Sequence, residues 1–143
     1  MQIVEQAFDP FQRLQDFQAT HLQNRTDYGA NTLFIGTMRD FNEGDTVTAM
    51  NLSHYPAMTH KQLDCIMQDC IAQEAIQAAL IIHRVGLIQP AEPIVLVSVW
   101  SAHRQAAFAA CRQLIETLKH QAPFWKKEHL SNGDQRWVEK NTG

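Results

Sequence analysis

Residues 93–123 read PIVLVSVWSAHRQAAFAACRQLIETLKHQAP, an apolar strand that runs straight into an amphipathic helix. The run Pro93–Trp100 is apolar and rich in β-branched residues, the composition of a strand buried on both faces. Ser101 follows where a side chain can cap a helix. Ala107, Phe108, Cys111, Leu114, Ile115 and Leu118 then recur at helical spacing and make one apolar stripe. Pro123 ends that helix, because its ring clashes with the preceding turn and it lacks an N–H to donate. A central strand therefore feeds an amphipathic helix with His103 and Arg104 at its start and Lys119 near its end.

Working outward, Ala79–Val85 is a second β-branched run, set off by Gly86 and Pro90. Before it, Leu63, Ile66, Met67, Cys70 and Ile71 lie on one helical face, with Thr59 as the expected N-cap. Thr32–Ile35 and Thr46–Tyr55 read as strands, and the turn signal at Asn42-Glu43-Gly44-Asp45 predicts that they form a hairpin, with Arg39 near its end. Asp9-Pro10 opens a helix running to about Leu22. Downstream, Phe124–Leu130 and Gln135–Glu139 flank Ser131-Asn132-Gly133-Asp134, a hairpin signal. A two-residue loop there sets Lys126 opposite Glu139, with Trp137 as a diagonal neighbour. The order predicts an α+β fold with mostly antiparallel neighbours. With no linker and no repeat, residues 1–143 are expected to form a single domain.

Composition narrows the function class. Apolar residues are 45% and charged residues 19% of the 143, a globular balance. The N-terminus has no basic region followed by an apolar core, and no membrane-length apolar run occurs, so the expected compartment is the cytoplasm. Three cysteines, Cys65, Cys70 and Cys111, are odd in number and lack CxxC spacing. All three fall on apolar helix stripes and are expected to be small buried hydrophobes. No GxSxG, P-loop, GxGxxG or HExxH motif is present, and the seven histidines show no metal spacing. His83, inside an apolar strand, is read as structural, and His54 as structural or part of a dimer surface.

Charge is uneven. The chain carries a net −3, yet His103–Lys127 holds five Lys/Arg and one acid, a local +4. Such a reversal suits an anionic ligand or partner. Ser101-Ala102-His103-Arg104 puts free helix N–H groups beside a guanidinium and an imidazole, a natural place for phosphate or carboxylate. Lys119, Lys126 and Lys127 surround a helix-to-strand corner. Close like charges disfavour protonation, and a lysine so lowered can act as acid, base or nucleophile. His103 and Lys119 are about 15 residues apart on one helix, roughly 22 Å, so a larger ligand or a second subunit is needed to join them. A binding module that turns nothing over would have no use for the Lys119/Lys126 pair. A nucleic-acid binder is disfavoured by the net negative charge and by the scarcity of clustered aromatics.

Five blocks in order resemble one family. They are Phe34-Ile35-Gly36-Thr37-Met38-Arg39, His54-Tyr55-Pro56-Ala57-Met58 (with Ser53 where an acid is usual), and His83-Arg84-Val85-Gly86. Ser101-Ala102-His103-Arg104 with Ala107-Phe108 follows, and then Lys119, Pro123-Phe124-Trp125-Lys126-Lys127-Glu128 and Trp137. Together, from about Gly29 to Glu139, the chain is similar to the molybdopterin synthase large-subunit family. The resemblance implies an α/β-hammerhead fold with an additional antiparallel β subdomain. It implies a homodimer within a heterotetramer, each copy binding a small ubiquitin-like subunit with a thiocarboxylated C-terminus. It implies transfer of that sulfur to cyclic pyranopterin monophosphate, forming the dithiolene of molybdopterin, with no cofactor. Lys119 and Lys126 would be catalytic, Lys119 the principal one. Thr37, Met38, Arg39, His103, Arg104, Lys127 and Glu128 would join them in binding substrate. The dimer would bring the His103/Arg104 end of one helix to the other copy's lysines. Relatives also use basic residues after the last strand, for which Lys140 is the one candidate here.

Overall fold

A computed structural model describes residues 1–139; Lys140 lies outside the described residues. In chain order the elements are β1 (Gln2–Val4), α1 (Pro10–His21), β2 (Ala30–Thr37), β3 (Phe41–Asn42), β4 (Asp45–His54) and α2 (Pro56–Glu74). They continue with β5 (Ile76–Arg84), β6 (Gly86–Ile88), β7 (Pro93–Ser101), α3 (Arg104–Gln121), β8 (Phe124–Leu130) and β9 (Gln135–Trp137). The architecture is α+β, as expected. One sheet runs β1-β5-β7-β2, parallel only between β1 and β5. The other runs β3-β4-β8-β9, with β6 also on β4, and is antiparallel.

The apolar run that opened the reading is the sheet's second-from-edge strand, and both its faces are covered. Val97 and Val99 face α2 and α3, packing with Leu63, Ile66, Cys70, Ala110, Leu114 and Leu118. Leu96 and Trp100 point the other way, into a cluster with Leu80, Ile82 and Leu22 that α1 covers through Leu14 and Phe17. Strand alternation thus gives each face its own core, which is why β5 and β7 show no polar face in sequence. A third cluster, Met38, Val47, Met50, Leu52, Val85 and Ile88, knits the second sheet to the first.

Two joints aim the site. Arg84 donates to the Glu92 carboxylate (2.6 Å) and the Leu87 carbonyl (2.8 Å), and this pins the turn at Gly86, whose φ of +86° only glycine adopts without strain. That turn passes the chain from the first sheet to β6 on the second. At Gly36 the β2–β7 register shifts by a bulge, and an added Cβ there would lie 2.8 Å from Val95 Cγ1. The bulge turns Thr37, Met38 and Arg39 off the sheet edge.

Several local expectations are corrected. β2 and β4 do not form a hairpin: β2 pairs with β7, and the Glu43-Gly44 turn closes only the short β3–β4 ribbon. Both turn residues have positive φ (51° and 85°), which suits a tight ribbon but says nothing about the longer strands beside it. α2 begins at Pro56, not after Thr59, because proline's fixed φ and missing N–H suit a first helical position. Thr59 is then fully buried inside the helix, its hydroxyl without a partner among the described residues. Ser101 does not cap α3: its hydroxyl donates to the His103 carbonyl, and His103 occupies the cap position with no side-chain bond to the helix. Cys70 and Cys111 are buried, but Cys65 is exposed on α2. The β8–β9 hairpin has a three-residue loop, with Leu130 N–H on the Asp134 carbonyl and Gly133 at φ +89°. That is one residue off the expected register, so Lys127 faces Trp137 and Glu128 faces Arg136.

Candidate active site

α3 ends two residues after Lys119. The Ala122 amide closes on the Leu118 carbonyl, Pro123 stops the helix, and the chain turns back as β8. This corner brings Lys119 and Lys126 to one cavity of about 420 Å³. Its walls are the β2 end with its following loop (Gly36, Thr37, Met38, Arg39), Asn42, Met50 of β4, and Lys126 and Glu128 of β8. That volume is within the usual range of small-molecule sites. A second, smaller cavity of about 180 Å³ shares Phe34, Gly36, Thr37, Ile94, Lys119 and Lys126 with it. The smaller one is mostly apolar, adding Val95, Ile115, Leu118, Phe124 and His83. The two lysines therefore stand where a chamber of mixed polar and apolar lining meets a mostly apolar one.

The electrostatics follow from burial. Desolvation pushes Lys126 below the ordinary lysine value, the charge of Lys119 adds to that, and Glu128 opposes it. His83 is lowered to about 4, first by burial and then by the charges of Lys126 and His54. Its ring stacks on Phe124 at 4.2 Å between centroids, and its Nδ1 lies 2.9 Å from the Arg84 carbonyl. A carbonyl only accepts, so Nδ1 carries the proton and Nε2 is the bare nitrogen of a neutral ring. Glu128 is buried and doubly held: Asn42 Nδ2 donates to Oε1 (2.7 Å) and Arg136 Nε to Oε2 (2.8 Å). Arg39 lies over the Phe41 ring and donates to Asn42 Oδ1 (3.3 Å).

Of the residues singled out in sequence, the cavity gathers Thr37, Met38, Arg39, Lys119, Lys126 and Glu128. Lys127 is not in its wall. Alternation along β8 sends Lys126 and Glu128 to one face and Lys127 to the other, where its amine sits 5.5 Å from the Trp137 ring centroid. His103 and Arg104 are exposed at the opposite end of α3, outside the cavity of this chain. Asn42 and Arg136 do not stand out in sequence, because the hairpin registers that turn chemistry predicts give them other neighbours. His83 reads as structural in sequence because its strand is apolar throughout.

Comparison with known proteins agrees with this geometry. The family model for "MoaE protein" matches residues 4–121. The chain is 46% identical, over 97% of its length and 89% of the relative's, to a protein of Pseudomonas aeruginosa named molybdopterin synthase catalytic subunit. Among solved structures, it superposes with TM-score 0.79 on a molybdopterin biosynthesis MoaE protein from Burkholderia ambifaria, at 36% identity over 99% of this chain and 90% of that one. The molybdopterin synthase structure from Staphylococcus aureus gives TM-score 0.82 at 26% identity, covering 95% of this chain and 94% of that one. Motifs, fold and cavity converge, and the chain belongs to the MoaE family, whose curated relatives are molybdopterin synthase catalytic subunits.

Proposed function

We propose that this cavity is where sulfur passes from the thiocarboxylated C-terminus of a small ubiquitin-like subunit to cyclic pyranopterin monophosphate. The observation that carries the reading is the meeting of Lys119, Lys126, Arg39 and Glu128 on one cavity in a member of this family. In each transfer the thiocarboxylate sulfur bonds to a pterin side-chain carbon as a carbon–oxygen bond there breaks, the oxygen leaving as water in one transfer and staying on the opened cyclic phosphate in the other. Water then cleaves the acyl–sulfur bond, leaving sulfur on the pterin and a carboxylate on the partner's tail. Two such transfers give the dithiolene. Every participant is anionic, so cationic groups held in a partly desolvated cavity stabilise the charge that develops. Lys119 is the principal amine. Lys126, depressed by burial, exchanges a proton more readily than a surface lysine. The sulfur arrives on the partner, so the reaction needs no resident cofactor and no cysteine of this chain. None of the three cysteines lines either lysine cavity, and burial raises the Cys111 thiol. The place of work in this reading is the cytoplasm.

His103 and Arg104 belong to the same site through a homodimer. The first turn of α3 has no side-chain cap, so its N–H groups and the Arg104 guanidinium can hold the substrate phosphate for the other copy's lysines. Arg104→Ala should weaken precursor binding by about 1.5–3 kcal/mol while leaving partner binding intact. The decisive measurement mixes subunits. Arg104→Ala and Lys119→Ala dimers, each nearly inactive, are dissociated and reassociated together. A shared site restores a fraction of wild-type product formation, since half of the mixed dimer's sites are intact. If mixing restores nothing although heterodimers form, the two ends of α3 do not serve one site.

A further inference from the structure

The buried Glu128 carboxylate has a donor on each oxygen, and the two donors come from different strands. Asn42, in the cavity wall, holds Oε1. Arg136, not in that wall, holds Oε2 from the neighbouring strand β9, directly across the hairpin. The guanidinium is itself anchored: Nη1 donates to Asp45 (2.7 Å), Nη2 donates to the Asn42 carbonyl (2.8 Å), and Glu43 stands 3.8 Å away. One planar group thus fixes both the carboxylate and the backbone of the residue that shares it. Asn42 passes the constraint on, since its amide oxygen accepts from Arg39. The chain of contacts runs from solvent-side Asp45 to two residues of the cavity, Arg39 and Glu128.

We propose that Arg136 is a positioning residue for the sulfur-transfer cavity, acting from outside it: it fixes the Glu128 carboxylate and the Asn42 amide, and through them the setting of Lys126 and Arg39. The proposal rests on reading the cavity as the sulfur-transfer site. Its physical basis is that a buried carboxylate must be paired, and that a fork of five donors holds an orientation which a single ammonium does not. The charged groups acting on Lys126 are Lys119 from α3 and Glu128 on its own strand; His83 of β5 stands beside it, with His54 of β4 acting on His83, and Arg39 of the loop after β2 shares the cavity wall. Among them Glu128 is the one anion. While Arg136 shares that anion, only part of its field acts on Lys126. Without Arg136 the whole field does, and the protonated amine is favoured.

The test follows Lys126 itself. In the full chain, lysines are dimethylated with ¹³C-labelled reagent, and the Lys126 resonance is assigned by its loss in Lys126→Arg. The expected result for Arg136→Met is a Lys126 midpoint raised by about half a pH unit or more, a change that pairing alone predicts in sign. Sulfur transfer in the complex should slow by about tenfold or more. Arg136→Lys, which keeps the charge but not the fork, should return the midpoint toward wild type while transfer stays slow. In a Glu128→Gln background, Arg136→Met should change the Lys126 midpoint by less than about a third as much, because the coupling runs through the carboxylate. An unmoved midpoint in folded Arg136→Met, or an equal shift with and without Glu128, overturns the proposal. Should Arg136→Met fail to fold, Arg136→Lys decides: a wild-type transfer rate in that variant also overturns it. If the wild-type complex makes no product, the reading of the cavity fails, while the midpoints still decide what Arg136 does to Lys126.

Discussion

Replacing Lys119 by alanine should lower single-turnover sulfur transfer by about a hundredfold or more, roughly 2.7 kcal/mol of transition-state stabilisation. The size of the loss follows from position. Lys119 lies in the wall of both cavities, at the point where an acyl group reaching in and a pterin bound in the larger chamber would meet. An amine there stabilises negative charge only as it develops, so its removal should act on the rate more than on binding. The fold should tolerate the change, because Lys119 sits at the rim of α3 and the core positions are Leu114 and Leu118. A variant that keeps more than about a tenth of the wild-type rate, a loss under ~1.4 kcal/mol, shows that another group is the principal catalyst. The same variant makes a second reading available. Lys119 is one cause of the low Lys126 value, so its removal should move the Lys126 midpoint upward.

Lys126→Ala should slow transfer by about tenfold to a hundredfold and should also change the shape of the pH profile. Burial and the Lys119 charge depress Lys126, so in the wild type its deprotonation begins below the ordinary lysine range. The rate should therefore show an inflection below the ordinary lysine range that belongs to this group. Alanine removes the inflection as well as the rate. Glu128→Gln should move it in a predictable sense: Glu128 favours the protonated amine, so losing its charge lowers the midpoint further. A profile of unchanged shape in Lys126→Ala would assign the inflection to some other group and leave Lys126 as a neutral part of the wall.

Much of this molecule was legible in its sequence, and the failures that bear on the site share one cause. Elements defined by their own residues were readable: the buried strand Pro93–Ser101 by its β-branched run, α3 by its stripe, and α1 by Asp9 and Pro10. The site's lysines were readable too, because one proline places a helix end beside a strand start. What stayed hidden depends on which strand lies next to which. Local turn chemistry at Glu43-Gly44 is satisfied by the two-residue pairing of β3 with β4, so it does not reveal that β2 joins β7. A loop of Ser131-Asn132-Gly133 closes with three residues as readily as Asn132-Gly133 does with two, and that single residue decides whether Glu128 or some other side chain meets Arg136. Period-two alternation then removes Lys127 from the cavity wall although both its neighbours line it. Cys65 escaped for a related reason, since it lies at the margin of the α2 stripe and faces out while Leu63 and Ile66 face in.

In the proposed mechanism this chain, with a thiocarboxylated partner, sulfurates the pterin precursor using its own lysines and none of its thiols. The most direct measurement is a single-turnover reconstitution. The full chain and a variant with Cys65, Cys70 and Cys111 replaced by alanine or serine are each mixed with preloaded small subunit and cyclic pyranopterin monophosphate. Molybdopterin formation and consumption of thiocarboxylate are then followed together. The expected result is molybdopterin from both proteins at comparable rates, with about two thiocarboxylates consumed per product, one for each sulfur of the dithiolene, and with folding confirmed by circular dichroism. No product from the wild-type complex, or product from the wild type and none from the folded cysteine-free variant, contradicts the claim.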